Sequence, residues 1–234
     1  MLHRRVLPAG CLWADWDAFI DSPAQRRTTY RSLVLGEEKN SAGERVDREG
    51  TTHTLRAAWD AHNVYVQHSV SLKDGDPDFA QNPLKRFAQY KADPTLDAWF
   101  VQVLSKLQQS DTCQQQATPA FINGHGSRVT KTHWDNYENI LLVLHGSKTF
   151  YLASPDSTTV LHRTKGYDWE APESTPATRQ FDYVVTLQAG DVLFIPRYWW
   201  HYVETANRGA MVNFWFQQVE RKRKRAARSR TTAQ

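Results

Sequence analysis

His133 and Asp135 stand two residues apart in the run Thr130-Lys131-Thr132-His133-Trp134-Asp135. On a strand, that spacing turns an imidazole and a carboxylate to one face. They supply two ligands of a facial metal site, and His201, at the end of GDVLFIPRYWWH, is the candidate for the third. Two histidines and one carboxylate with open coordination positions suit a non-haem Fe(II) oxygenase. A His-x-Asp pair also arises by chance, so the reading depends on what shares the face. Asn139 has the same parity as His133 and Asp135 and so can face the same cavity. Lys148 follows the His145-Gly146-Ser147 turn inside an otherwise apolar strand. A lysine buried there requires an anionic partner, because an unpaired charge away from water is costly. The alternative is a solvated lysine on the outer face of that strand.

Such a site needs a strand-rich frame. From residue 119 onward, short apolar runs alternate with turns: 119–123, 128–133, 137–145, 147–153, 182–188, 191–196, 199–205 and 210–218. So much strand calls for a sandwich or barrel. Upstream the pattern is mixed. Residues 12–20 read as a short helix, 30–35 as a strand, 36–51 as an exposed loop, and 52–59 and 63–71 as strands around a turn. Val64, Val66, His68 and Val70 alternate with Tyr65 and Gln67 on the second of these. Residues 73–92 read as irregular. Asp93-Pro94 opens a helix to residue 107, with Leu96, Trp99, Phe100, Val103, Leu104 and Leu107 at helical spacing.

The chain has 234 residues, 40% of them hydrophobic, with nine tryptophans, which suffices for a core and excludes a disordered chain. Residues 1–220 read as one composite domain, with its barrel core at about 117–218 and N-terminal elements at 12–107. The longest aliphatic run, Ile140 to Leu144, excludes a membrane-spanning helix. Pro8, Gly10 and Asp15 interrupt the first apolar stretch, so no secretory leader is read. Cys11 and Cys113 are too few for a disulfide framework, which favours a reducing, intracellular setting, nucleus or cytoplasm. The net charge of +4 is a property of the tail. RKRKRAARSR at 221–230 holds seven of 29 basic residues, leaving 22 against 25 acidic ones. Residues 221–234 read as a disordered end, with a nuclear-import or RNA-contacting role as the alternative. His125, His145 and His162 read as solvated loop histidines, Cys113 as a buried or incidental thiol, and Trp199-Trp200 as one core and one rim residue. P-loop, His-Glu-x-x-His, Gly-x-Ser-x-Gly and Cys-x-x-Cys signatures are absent.

Thr130, His133, Asp135, Asn139, Lys148, GDVLFIPRYWWH and Val212-Asn213-Phe214-Trp215 together closely resemble the JmjC-type, cupin-like 2-oxoglutarate oxygenases. Within them the set looks most like the small protein hydroxylases typified by the asparaginyl hydroxylase of hypoxia-inducible factor. The resemblance implies a mainly β fold, a double-stranded β-helix of the jelly-roll or cupin kind with flanking N-terminal strands and helices. It implies that His133, Asp135 and His201 ligate Fe(II), and that Lys148, Thr130 and Tyr65 hold the distal carboxylate of the cosubstrate 2-oxoglutarate. Asn139 and Asn213 would serve its chelating end or a nearby water, Trp215 would line the iron pocket, and Gln67 would contact substrate. The implied reaction consumes O2, releases succinate and CO2, and hydroxylates a protein side chain. A modified tRNA base, methyl-lysine demethylation and a non-catalytic metal-binding cupin are the alternatives. Where relatives carry an Asn-Pro-Asp motif, this chain has YDWEAPESTPATRQFDY, and it ends in a basic tail in place of dimerising helices. The partner is a protein or peptide, or RNA through the tail, without a membrane; the sequence assigns no oligomeric state.

Overall fold

The computed structural model describes residues 2–4, 15–21, 26, 29–39, 45–62, 64–71, 98–157 and 175–218. The segment 73–92, the helix start at Asp93-Pro94, Cys11, His162 and the tail at 221–234 lie outside them. Two antiparallel sheets face each other, the expected mainly β arrangement. The larger runs in the order β1 (Leu2–His3), β10 (Val192–Ile195), β7 (Glu138–His145), β12 (Gly209–Gln218), β5 (Cys113–Asn123), β4 (Val64–Ser71), β2 (Thr29–Lys39), β3 (Arg45–Thr54). The smaller runs β6 (Arg128–His133), β11 (Trp200–Thr205), β8 (Ser147–Ala153), β9 (Tyr183–Gln188).

At the centre of the larger sheet, β7 and β12 are apolar on both faces. Leu141 and Val143 of β7 and Met211 of β12 meet Phe150, Leu152 and Val203 of the smaller sheet. Their neighbours Ile140, Leu142, Leu144, Val212 and Phe214 point the other way, toward three helices. This explains why β7 and β12 read as nearly continuous apolar runs. The helices are α1 (Trp16–Ile20), α2 (Leu55–Asp60) and α3 (Ala98–Gln108). Asp15 caps α1 by accepting from the Ala18 N–H at 3.0 Å, and Thr54 caps α2 by accepting from the Ala57 N–H at 3.2 Å.

Three expectations are corrected, two of them in the N-terminal half. Residues 55–60 are helix, not strand, because the Thr54 cap is followed by buried Leu55, Ala58 and Trp59 at i, i+3, i+4 spacing. The polar stretch 36–51 is not a loop throughout: β2 extends to Lys39 and β3 begins at Arg45. As the last strand of its sheet, β3 needs no apolar neighbour beyond it. His145 is no solvated loop residue either. It ends β7 half-buried, edge-on to the Trp59 ring at 4.9 Å, and burial holds its imidazole below the usual range. His125 stacks on His62 with centroids 4.9 Å apart. Cys113 is buried at the start of β5, and Trp200 is buried while Trp199 lies half-buried against Tyr183. Among the described residues no helix is long and apolar enough to cross a membrane.

Gly146 joins β7 to β8 at φ 72°, and a Cβ there would lie 2.3 Å from the Arg208 carbonyl oxygen. Both the left-handed backbone and the close approach require glycine. Gly146→Ala should therefore lower the unfolding free energy by about 2 to 4 kcal/mol. Denaturant unfolding of the two proteins measures this.

Candidate metal centre

His133 closes β6, Asp135 lies two residues beyond it, and His201 is the second residue of β11. The two strands pair with His201 opposite His133. One ligand atom from each of His133, Asp135 and His201 lies within 4.8 Å of the other two. The imidazole centroids are 4.1 Å apart, and His201 Nε2 is 3.7 Å from Asp135 Oδ2.

Both rings are oriented by the same local device. His133 Nδ1 meets the Lys131 carbonyl at 2.8 Å, and His201 Nδ1 meets the Trp199 carbonyl at 3.0 Å. A carbonyl only accepts, so each Nδ1 carries the proton and donates. Each Nε2 is left with its lone pair, the tautomer a metal requires. Burial, then the nearby His133, pushes the His201 imidazole down to about 3, so that it stays neutral and able to ligate. Burial raises the Asp135 carboxyl against the opposing effect of His133, a cost that a bound cation would offset. The Tyr198 N–H donates to the Asp135 carbonyl at 2.8 Å. Tyr198 is left-handed, at φ 67°, and its ring meets Trp134 edge-on at 5.2 Å.

Alternation along the strands takes the cavity inward. Val203 belongs to the core between the sheets, so His201 and Thr205 share its face of β11. Lys148 shares the face of Phe150 and Leu152 on β8, which excludes the outer-face alternative. The lysine is 3% exposed and donates to Thr205 Oγ1 at 2.8 Å. Among the described residues no carboxylate lies within ion-pair distance of it. Burial, then the Arg128 charge, pushes its ammonium down to about 7.

The remaining residues singled out in the sequence fall around this cavity. Thr130 is half-buried opposite Val203. A register shift between Thr130 and His133 places one extra β6 residue against β11. Asn139 and Trp215 are paired across β7 and β12, with Asn213 opposite Leu141. Asn139 Oδ1, Asn213 Oδ1 and Trp215 Nε1 are buried with no hydrogen-bond partner among the described residues. Tyr137 stacks on Trp215 with centroids 5.2 Å apart. Tyr65 is buried on β4, whereas Gln67, two residues on, is exposed. Thr205, Arg128, Tyr137 and Tyr198 join these residues without being marked in the sequence as site residues. Arg128 had a detectable signal, because it lies two residues from Thr130 on the same strand. Thr205 carries none without the strand pairing, and Tyr198, although inside GDVLFIPRYWWH, carries none without the turn that sets its φ at 67°.

Residues 79–222 match the family described as a cupin-like domain. The HSPB1-associated protein 1 homolog of Danio rerio is 36% identical over 103 residues, which are 38% of this chain and 23% of that protein. Jumonji C domain-containing protein 5 of Drosophila melanogaster is 28% identical over 178 residues, 67% of this chain and 44% of its own. Lysine-specific demethylase 8 of Xenopus tropicalis is 32% identical over 104 residues, 40% of this chain and 24% of its own. The chain thus spans less than half the length of each of these relatives. Among solved structures, E. coli YcfD superposes with a TM-score of 0.52 at 12% identity, covering 94% of this chain and 49% of that one. That likeness concerns the fold.

The geometry predicts one divalent ion per chain. Titration of metal-free protein with Mn(II) or Co(II) should give one site. Asp135→Ala should weaken it by more than about a hundredfold, since changes one shell further out already cost 10- to 100-fold.

Proposed function

The chain belongs to the cupin-like domain family, and on that premise we propose that it is an Fe(II)- and 2-oxoglutarate-dependent oxygenase that hydroxylates a protein side chain. The observation that carries this reading is a shared face: the His133, Asp135 and His201 ligand set and the buried Lys148 ammonium lie near the two ends of the inward face of β11, between the sheets. The Cα atoms of His201 and Thr205 are four strand residues apart, roughly 13 Å. After the imidazole and hydroxyl side chains, this leaves room for a short diacid between a metal and Lys148.

The residues present fit the two groups. His133, Asp135 and His201 would hold the iron through Nε2, a carboxylate oxygen and Nε2. Lys148, with Thr130 and Tyr65, would hold the distal carboxylate of 2-oxoglutarate, a charge-assisted contact inside a cavity that excludes water. The unpartnered Asn139 and Asn213 oxygens and the Trp215 N–H offer polar contacts for the chelating end or a water. When bound, Fe(II) and 2-oxoglutarate supply the oxidising chemistry: one atom of O2 enters the substrate C–H bond, and the other enters succinate formed with CO2. The chain's residues orient the cosubstrate, keep water out and hold the proton on each Nδ1. Gln67, exposed two residues from Tyr65, is assigned to substrate contact, and the two cysteines of the chain favour an intracellular location. The name of the Xenopus relative motivates a second reading, N-methyl removal, because hydroxylation of an N-methyl carbon yields an adduct that loses formaldehyde.

Lys148→Ala should raise KM for 2-oxoglutarate roughly tenfold to a hundredfold, the worth of one hydrogen bond to a charged group. The wild-type pH dependence follows from the ammonium's value of about 7. Below it the empty site is already protonated, whereas above it cosubstrate binding must take up a proton. Affinity should therefore fall by up to about tenfold per pH unit above 7, as calorimetry with Mn(II)-loaded protein would detect.

The reading is tested with cell extract separated into protein and RNA fractions, incubated with enzyme, Fe(II), ascorbate and 2-oxoglutarate. Succinate stimulated by the protein fraction, with an added oxygen on captured targets, is the expected result, and Asp135→Ala should abolish it. Stimulation by RNA alone would replace the protein substrate with a nucleobase, and methyl loss would favour demethylation. Iron and cosubstrate binding without turnover would return the non-catalytic cupin.

A further inference from the structure

Arg128 has no part in the oxygenase reading, yet it stands beside every group assigned to the distal carboxylate. Strand pairing sets Arg128 directly opposite Thr205, and Thr205 Oγ1 accepts from Lys148. Its guanidinium carbon lies 3.8 Å from the centre of the Tyr65 ring. Along β6, exposure alternates so that Arg128 and Thr130 are half-buried while Val129 and Lys131 are exposed. Arg128, Thr130, Tyr65, Lys148 and Thr205 therefore converge from four strands. The Arg128 charge is close enough to depress the Lys148 ammonium. Two cations held together repel, and an anion placed between them removes that cost.

We propose that Arg128 is a second cation of the distal-carboxylate pocket and a specificity-determining residue: with Lys148 it selects 2-oxo acids that carry an ionised carboxylate at the far end. The proposal rests on the oxygenase reading and extends it to a residue outside the motif set. A guanidinium keeps its charge at all physiological pH, unlike Lys148 in this setting, and presents a planar fork that matches both carboxylate oxygens. Stacking on Tyr65 fixes the plane of that fork.

The test compares two ligands that share the chelating end and differ at the other: 2-oxoglutarate and 2-oxopentanoate, which has a methyl group in place of the distal carboxylate. Binding of each to Mn(II)-loaded protein is measured by calorimetry, without turnover. Wild type should prefer 2-oxoglutarate. Arg128→Gln should reduce that preference about tenfold or more, leaving 2-oxopentanoate affinity unchanged, and Arg128→Lys, which keeps the charge but not the fork, should restore part of it. Arg128→Met, which keeps an apolar stem against Tyr65, makes the same comparison should the glutamine variant fail to fold. Full selectivity in Arg128→Gln or Arg128→Met would overturn the proposal. Equal weakening of both ligands would do the same, because it marks a role in supporting Tyr65 alone. A wild-type protein that binds Mn(II) but neither ligand would instead overturn the oxygenase reading beneath it.

Discussion

An ammonium group lies between two apolar sheets, and a threonine hydroxyl is its hydrogen-bond partner among the described residues. Around it, Phe150, Leu152 and Val203 make a core that an aliphatic side chain would fill at lower cost. A buried charge without a counter-charge is destabilising by several kcal/mol. The fold tolerates it because both faces of the larger sheet are packed, one against the smaller sheet and one against the helices. That surplus of apolar burial allows a cavity lined with unpartnered polar atoms to persist. The cost also gives an incoming anion a driving force, since it relieves an existing penalty.

Histidine orientation depends on backbone rather than on neighbouring side chains. In both histidines the Nδ1–H reaches the carbonyl two residues earlier, Lys131 for His133 and Trp199 for His201. A two-residue span along an extended chain suits this contact, so the ring orientation comes with the strand. The metal-facing nitrogens are then set before any ion arrives, which spares the ordering cost of two imidazoles on binding.

Legibility in the sequence followed from how regular each segment is. The strands from Arg128 to Gln218 were readable because each alternates between two cores or between core and solvent, with turns at Gly146 and Gly190. The metal set was readable because His133 and Asp135 are local to one another. Parity, however, fails across an irregularity. Counted back from His133, Thr130 and Arg128 fall on the opposite face. The register shift on β6 reverses that count and brings Thr130 opposite Val203. Arg128 is subject to the same shift and is legible only through Thr130, whose face it shares. In the N-terminal half, Thr52 to Trp59 satisfies both a strand and a capped-helix pattern, and only the packing of Leu55, Ala58 and Trp59 beside α1 decides between them. The paired strands β2 and β3 were missed because polar composition identifies solvent exposure, not the absence of backbone pairing.

The two ends of the cavity are built on different terms. At the charged end, the side-chain amide of Asn123 donates to the carbonyls of Gly124, Gly126 and Asn207, tying the β5–β6 connection to the β11–β12 connection. Lys148 and Thr205 thus sit inside paired strands whose ends are cross-tied. At the metal end, Asp135 lies beyond the strand, where no ladder positions it. Its carbonyl is instead held by the N–H of Tyr198, a residue 38% exposed and left-handed. A non-glycine residue in that conformation costs about 1 to 2 kcal/mol. The turn it makes returns the chain to Trp199 and Trp200 and delivers His201 three residues later. One strained residue therefore couples the carboxylate ligand to the second histidine. The carboxylate ligand depends on this turn, whereas both histidines and the anion pocket depend on the pairing of β6 with β11, so a shift in that pairing would move the two ends of the site together.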